Sequence, residues 1–239
     1  MLGHTNFKYI KTLCKEKLVY GMPNELEIDS MKCITCIENK IHNHLFNNDR
    51  SKAQEILDIV HTDVNGPQST VGNCGERYFV TFTDDYSKFV KVYPIKTKDQ
   101  VYDCIVKYIN EVENLSGKRV KTIRLDNGTE YKNIKFFEFI KQKGITVDFC
   151  PPYVHQLNGT SERLNRTTME MARCLLAEAK VSKRFWPEIV KTTAYLKNRT
   201  LANTLEKKTP YEIFFNKKPD LSNLRLCGSR VRIRVPMHY

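Results

Sequence analysis

The sequence predicts an α/β domain whose elements run in the order βββ-α-β-α-β-α, preceded by a small separate segment. Three observations carry that prediction. Residues 56–95 hold three β-rich runs broken by turn signals. Val101, Cys104, Ile105, Tyr108, Ile109 and Val112 recur at helical spacing. Val120 to Leu125 alternates apolar with polar residues, as a half-buried strand does, and an amphipathic helical pattern runs on from Glu162.

Taken in order, residues 1–40 contain Cys33-Ile-Thr-Cys36, a thiolate pair at the spacing that wraps one Zn²⁺, with His4 upstream as a third ligand. A water, Cys14, His42 or His44 is left to complete the shell, and a pair of reduced thiols near a turn is the bland alternative. Residues 41–54 are polar, lack a clear period and read as a linker. The domain proper is expected over 55–220.

Its first strand, Ile56 to Val64, breaks at Asn65-Gly66-Pro67 and carries Asp63 near its end. Tyr78 to Asp84 and Lys88 to Ile95, joined by Asp85-Tyr86-Ser87, complete an antiparallel meander. A helix over Asp99 to Leu115 stops at Ser116-Gly117, and the strand from Val120 delivers Asp126 at its tip, just before the Asn127-Gly128 turn. Ile134 to Lys143 reads as a helix, and Thr146 to Cys150 as a short strand halted by Pro151-Pro152.

After Asn158-Gly159 a helix begins, with Glu162 in its first turn. At about 100° per residue, Leu164, Thr168, Met171, Leu175 and Ala179 share one side, while Glu162, Arg166, Arg173 and Lys180 share the other. Phe185-Trp186-Pro187-Glu188 opens a further helix, with Pro187 early, where a missing N–H costs little, and Trp186 as a core anchor. The tail from 221 to 239, with Arg225, Arg230, Arg232 and Arg234 among apolar residues, reads as a strand and the start of a basic extension.

The net charge is +12, and residues 151–239 hold 17 Lys and Arg against 7 Asp and Glu, so the C-terminal third carries most of the excess. A charge so placed points to nucleic acid, whereas solubility is usually met with mixed signs. No run approaches the ~20 apolar residues of a membrane span. The start of the chain is not a signal peptide, and the cysteines Cys74, Cys104, Cys150, Cys174 and Cys227 lack framework spacing. A reducing compartment is expected.

Asp63, Asp126 and Glu162 thus stand at two strand ends and a helix start. Three carboxylates meeting in one cleft would repel one another unless cations neutralised them. Hard divalent ions with oxygen ligands, Mg²⁺ or Mn²⁺, answer that need. Two such ions about 4 Å apart activate a nucleophilic oxygen and stabilise a leaving one in phosphoryl transfer. Asp84 and Asp85 stand at the end of the second strand, and His61 and His155 flank the cleft.

These residues resemble a known set. Asp63, Asp126 and Glu162, with 35 residues between the last two, match the signature of retroviral and retrotransposon integrases. The surrounding text is similar to the copia-type (Pseudoviridae) integrases of Pol polyproteins. It comprises His61-Thr-Asp63-Val-Asn-Gly66-Pro67, Phe82-Thr-Asp84-Asp85-Tyr86-Ser87, Arg124-Leu-Asp126-Asn127-Gly128-Thr-Glu130-Tyr131, Gln156-Leu-Asn158-Gly159-Thr-Ser-Glu162-Arg163-Leu-Asn165-Arg166 and Thr209-Pro210-Tyr211-Glu212.

The resemblance covers essentially the whole chain and implies an RNase H-like catalytic core, with Asp84 and Asp85 as structural turn residues rather than catalytic acids. It implies that Asp63, Asp126 and Glu162 hold two Mg²⁺ or Mn²⁺ ions, and that a 3′-hydroxyl of element cDNA attacks target DNA in line. It also implies a His-His-Cys-Cys zinc module, of which His4, Cys33 and Cys36 are present and the first histidine would lie before Met1. Expected DNA contacts are His155, Asn158, Arg163, Arg166, Arg173, Lys180 and Lys183. A homo-oligomer acting on cDNA ends and target DNA, in nucleus and cytoplasm or a virus-like particle, completes the expectation. A plain nuclease of this fold, a silent DNA-binding remnant and a partner that only assembles with intact integrase are the alternatives left open.

Overall fold

The computed structural model describes residues 2–23, 35, 53–126, 128, 131, 134–149 and 159–229, with 159–162 described by backbone alone. The elements are α1 (Phe7–Lys15), β1 (Ile59–Asn65), β2 (Tyr78–Asp84), β3 (Val90–Ile95), α2 (Val101–Ser116), β4 (Thr122–Leu125), α3 (Ile134–Lys143), β5 (Thr146–Phe149), α4 (Gly159–Ala179), α5 (Trp186–Lys197) and α6 (Pro210–Phe215). The five strands form one sheet in the order β3-β2-β1-β4-β5. β1–β2 and β2–β3 are antiparallel, the second pair through a short link, while β1–β4 and β4–β5 are parallel.

Alternation along the strands sends side chains to two apolar layers. Val60, Val80, Phe82, Ile123 and Leu125 face α2 and α3, meeting Tyr108, Ile109, Phe136 and Ile140. Phe79, Val90 and Val92 face the other way, onto Leu164, Met171 and Leu175 of α4 and Trp186, Ile189 and Val190 of α5. The sheet is therefore covered on both faces. Phe82 stacks on Tyr108 at 4.4 Å and 10°, an offset aromatic contact at the centre of the first layer.

Strand starts differ from the pattern-based reading, each for a local reason. β1 begins at Ile59 rather than Ile56, because Asp58 Oδ2 accepts from the N–H groups of Gln54 and Glu55 and Leu57 is left-handed at φ 66. β3 begins at Val90, after a tight turn in which Lys88 N–H donates to the Asp84 carbonyl and Lys88 sits at φ 60. α2 ends where the glycine predicts, Gly117 capping it at φ 68.

Trp186 is the expected anchor: it is 4% exposed, and its Nε1–H donates to the Thr70 carbonyl at 2.8 Å. The Thr209-Pro210-Tyr211-Glu212 motif is a helix start, with the Thr209 hydroxyl accepting from Glu212 N–H and Pro210 in the first turn. The tail is corrected in part. Residues 221–229 are turns, Leu221 packs into the α4–α5 layer, and the remaining tail arginines lie outside the described residues. Helix α1 has no counterpart in the sequence reading; its Leu13 joins Leu2 and Val19 against that same layer. Residues 41–52 of the expected linker also lie outside the described set.

Candidate active site

Asp63 lies on β1 opposite Thr81 of β2, two residues before the strand ends. Ile123 and Leu125 belong to the α2–α3 layer, so Arg124 and Asp126 turn to the α4 side of the sheet. Asp126 immediately follows β4, and its Oδ1 accepts from Gly128 N–H at 3.0 Å, which curls the chain back over the strand tip.

The parallel register pairs His61 with Arg124. Because the strands are parallel, Asp63 near the end of β1 and Asp126 just past the end of β4 come to the same end of the sheet.

The Asp63 carboxylate is held on both oxygens. Val64 N–H donates to Oδ1 at 2.9 Å, and Asn165 Nδ2, reaching from α4, donates to Oδ2 at 2.8 Å. Asn165 is 3% exposed, and its Oδ1 is buried without a hydrogen-bond partner among the described residues. Its part in the site was not read from the sequence, where it stood only as one letter of a motif. The available signal was its place one turn after Glu162.

Glu162 is in the first turn of α4, as expected, and its side chain lies outside the described residues. At about 100° per residue it is about 60° around the helix from Asn165.

Asp84 and Asp85 have the structural role expected of them. Asp84 is fully buried and accepts from the N–H groups of Leu57 and Ser87, each at 2.7 Å, and burial pushes its carboxyl up from the ordinary range. Asp85 is also largely buried, which raises its pKa, yet the bonds from His61 and Lys88 outweigh that and hold it well below the usual carboxylate range. His61 is buried, its Nε2 3.3 Å from Asp85 Oδ1.

Of the expected DNA contacts, Arg163, Arg166, Arg173, Lys180 and Lys183 are all exposed. Arg166 and Arg173 lie on the side of α4 opposite Leu164, Lys180 follows in the turn that ends the helix, and Lys183 in a 3-10 turn. His155 and Asn158 lie outside the described residues, as do Cys33 and Cys36. His4 sits in a turn with Nε2 3.7 Å from Glu178 Oε2 of α4. Among the described residues, no three His, Cys, Asp or Glu side chains come together as a metal site.

With this geometry in view, residues 52–155 match the integrase core domain family. The chain is 36% identical over 236 residues, 98% of its length, to the retrovirus-related Pol polyprotein from transposon TNT 1-94 of Nicotiana tabacum. The chain is a copia-type relative of the retroviral integrases.

It spans only 18% of that tobacco polyprotein. In fold, this integrase relative is similar to a simian T-cell lymphotropic virus intasome solved with PP2A regulatory subunit B56 gamma (TM-score 0.59, 14% identity, covering 86% of this chain and 69% of that one). It is also similar to the HTLV-2 integrase catalytic core domain in complex with magnesium, in a trimeric form (TM-score 0.53, 17% identity, covering 68% of this chain and 99% of that one). The integrase core architecture, a mixed sheet covered by helices, is therefore shared. No helix among the described residues is long and apolar enough to cross a membrane.

Proposed function

We propose that this integrase core catalyses DNA strand transfer for an LTR retrotransposon, a DNA 3′-hydroxyl attacking a phosphodiester of target DNA in line. The observation that carries the reading is Asp63 near the end of β1 and Asp126 just past the same end of the parallel strand β4, with Asp63 fixed by Asn165 of the helix that also bears Glu162.

The donor set fits hard divalent ions: it is all carboxylate oxygen, and a residue pair brought side by side needs a cation between. Asp63, Asp126 and Glu162 would hold Mg²⁺ or Mn²⁺, which supply activation of the hydroxyl and stabilisation of the leaving oxygen. Asn165 keeps the Asp63 carboxylate in one orientation, and the Gly128 N–H does the same for Asp126. The exposed cations of α4 hold the phosphate backbone with little sequence choice.

The same reading assigns residues 1–40 to a partial zinc module, 41–54 to a linker, 55–220 to the core and 221–239 to a basic extension. His4, Cys33 and Cys36 are the zinc ligands it implies. Homo-oligomers working on cDNA ends in nucleus and cytoplasm belong to it too.

The test is transfer of a labelled duplex end into plasmid DNA with Mg²⁺ or Mn²⁺, beside Glu162→Gln. Joined product that vanishes in the variant is the expected result. Cutting without joining would replace the reading with a plain nuclease. Salt-sensitive DNA binding with no product, equal in both proteins, would replace it with a silent DNA-binding remnant.

A further inference from the structure

One row below the Asp63–Asp126 pair, the α4 face of the sheet carries a line of charge. The registers set Thr83, His61, Arg124 and Asp148 side by side across β2, β1, β4 and β5. Arg124 has a side chain only 8% exposed, and its Nε donates to Asp148 Oδ2 at 2.7 Å. At the other end of the line, His61 meets Asp85, which Lys88 pairs at 2.8 Å.

Burying a guanidinium in a sheet is costly, and a single carboxylate that is itself 32% exposed offsets only part of that cost. The neighbouring positions of β4, Ile123 and Leu125, show what a strand needs for packing alone. Arg124 is two residues before Asp126, and its register partner His61 is two residues before Asp63, about 7 Å along the strand. It therefore lies just inside the sheet end that bears both carboxylates, which repel each other where they approach.

We infer that Arg124, with Asp148 as its counterweight, sets how tightly the Asp63–Asp126 pair takes a divalent cation. Arg124 is a positioning residue. It steadies the two carboxylates while they are bare and opposes the charge of an incoming ion, and Asp148 tempers that opposition. The inference rests on the proposed metal site.

The charges predict opposite signs for two substitutions. Arg124→Met removes the opposing cation and leaves Asp148 behind, so Mn²⁺ binding tightens, by about three- to tenfold. Asp148→Asn leaves the cation unbalanced, so binding weakens by a comparable factor, and the double variant returns toward the parent. Arg124→Lys, which keeps the charge, stays near the parent. An Arg124–Asp148 bridge that only held the fold would instead loosen the site in both single variants.

The experiment is Mn²⁺ titration of the full chain without DNA, read by electron paramagnetic resonance of the free ion, with Asp63→Asn as control. Opposite shifts in the two single variants establish the inference, and weakening in both overturns it. Should Arg124→Met fail to fold, Arg124→Gln, which also removes the charge, takes its place, and unchanged or weaker binding there overturns it. If the parent binds no Mn²⁺, or Asp63→Asn binds as well as the parent, the metal site itself is wrong and the inference falls with it. Loss of binding in Asp63→Asn together with same-sign shifts leaves the site standing and removes only the role of Arg124.

Discussion

The Asn165 amide ties α4 to the Asp63 carboxylate at 2.8 Å, and so joins a residue of the meander to one 102 positions later in the chain. Such a bond fixes the carboxylate's orientation, and losing an outer partner of this kind typically costs about 10–100-fold in metal affinity or activity. Asn165→Ala is expected to lower both Mn²⁺ affinity and strand transfer in that range. Asn165→Asp, which sets a second carboxylate against Asp63, is expected to do worse in strand transfer. Ion titration and end-joining assays on the folded variants check this, and parent-like values would remove Asn165 from the site.

Asp85 gives a residue-scale pH prediction. Its pKa is depressed in the folded protein by His61 and Lys88, so its ionised form stabilises the fold above the unfolded-state value of about 4 and that contribution fades as pH falls below it. Buried Asp84 stands next to it, shifted in the opposite direction. Asp85→Asn should lower the melting temperature at pH 7, with the gap to the parent narrowing between pH 4 and pH 3. Thermal melts across that range decide it; a gap that stays constant means Asp85 acts through packing alone.

Among elements, β3 shows how an edge strand is kept from pairing with another chain. Its inner side pairs with β2, and on its outer side the Asn198 amide accepts from Val90 N–H and donates to Val90 C=O, both at 2.8 Å. A side chain there does the work of a neighbouring strand. Further along, Pro94 offers no N–H at all.

Asn198→Ala strips both bonds from a buried backbone segment and is expected to cost about 2–4 kcal/mol. It should also promote self-association at the uncovered edge. Chemical denaturation and sedimentation measure the two effects separately, and a variant as stable and as monodisperse as its parent would show that Val90 finds other partners. The same economy explains the Thr209 to Glu212 motif, which sequence similarity marks as a family feature and the structure shows to be an N-cap.

At the scale of the whole molecule, the C-terminal third carries most of the excess positive charge, and part of it lies exposed on the outer side of α4 and in the turn after it. Arg166 and Arg173 are exposed there, away from the apolar layer that Leu164, Met171 and Leu175 enter. If they hold phosphates, Arg166→Ala and Arg173→Ala should each lower the slope of log affinity against log salt by about 1, across unrelated DNA sequences and with melting temperature unchanged. Binding isotherms at several salt concentrations test it. An unaltered slope would move the DNA path off α4.

The sequence by itself determined most of the elements and the candidate acids. Period-2 and period-3.6 patterns located the five strands, α2, α3, α4 and α5, because each element must bury one face whatever its partners. The Gly117 stop was legible because a left-handed cap is a local steric demand. The acids Asp63, Asp126 and Glu162 stood out through spacing and surrounding motifs, and Trp186 through its size and the proline after it.

Strand starts at β1 and β3 were misread because Asp58 and Lys88 turn the chain through hydrogen bonds and backbone angles that hydropathy does not record. α1 was missed because its apolar stripe is short and is completed only by the layer it packs on. Tertiary structure alone decided that β4 lies parallel to β1, which brings Asp63 and Asp126 to the same end of the sheet and sets Arg124 beside His61. It alone decided that Asn165 meets Asp63. Pairing register and helix docking are long-range contacts between segments with no sequence neighbourhood in common, so the local pattern of neither segment contains them.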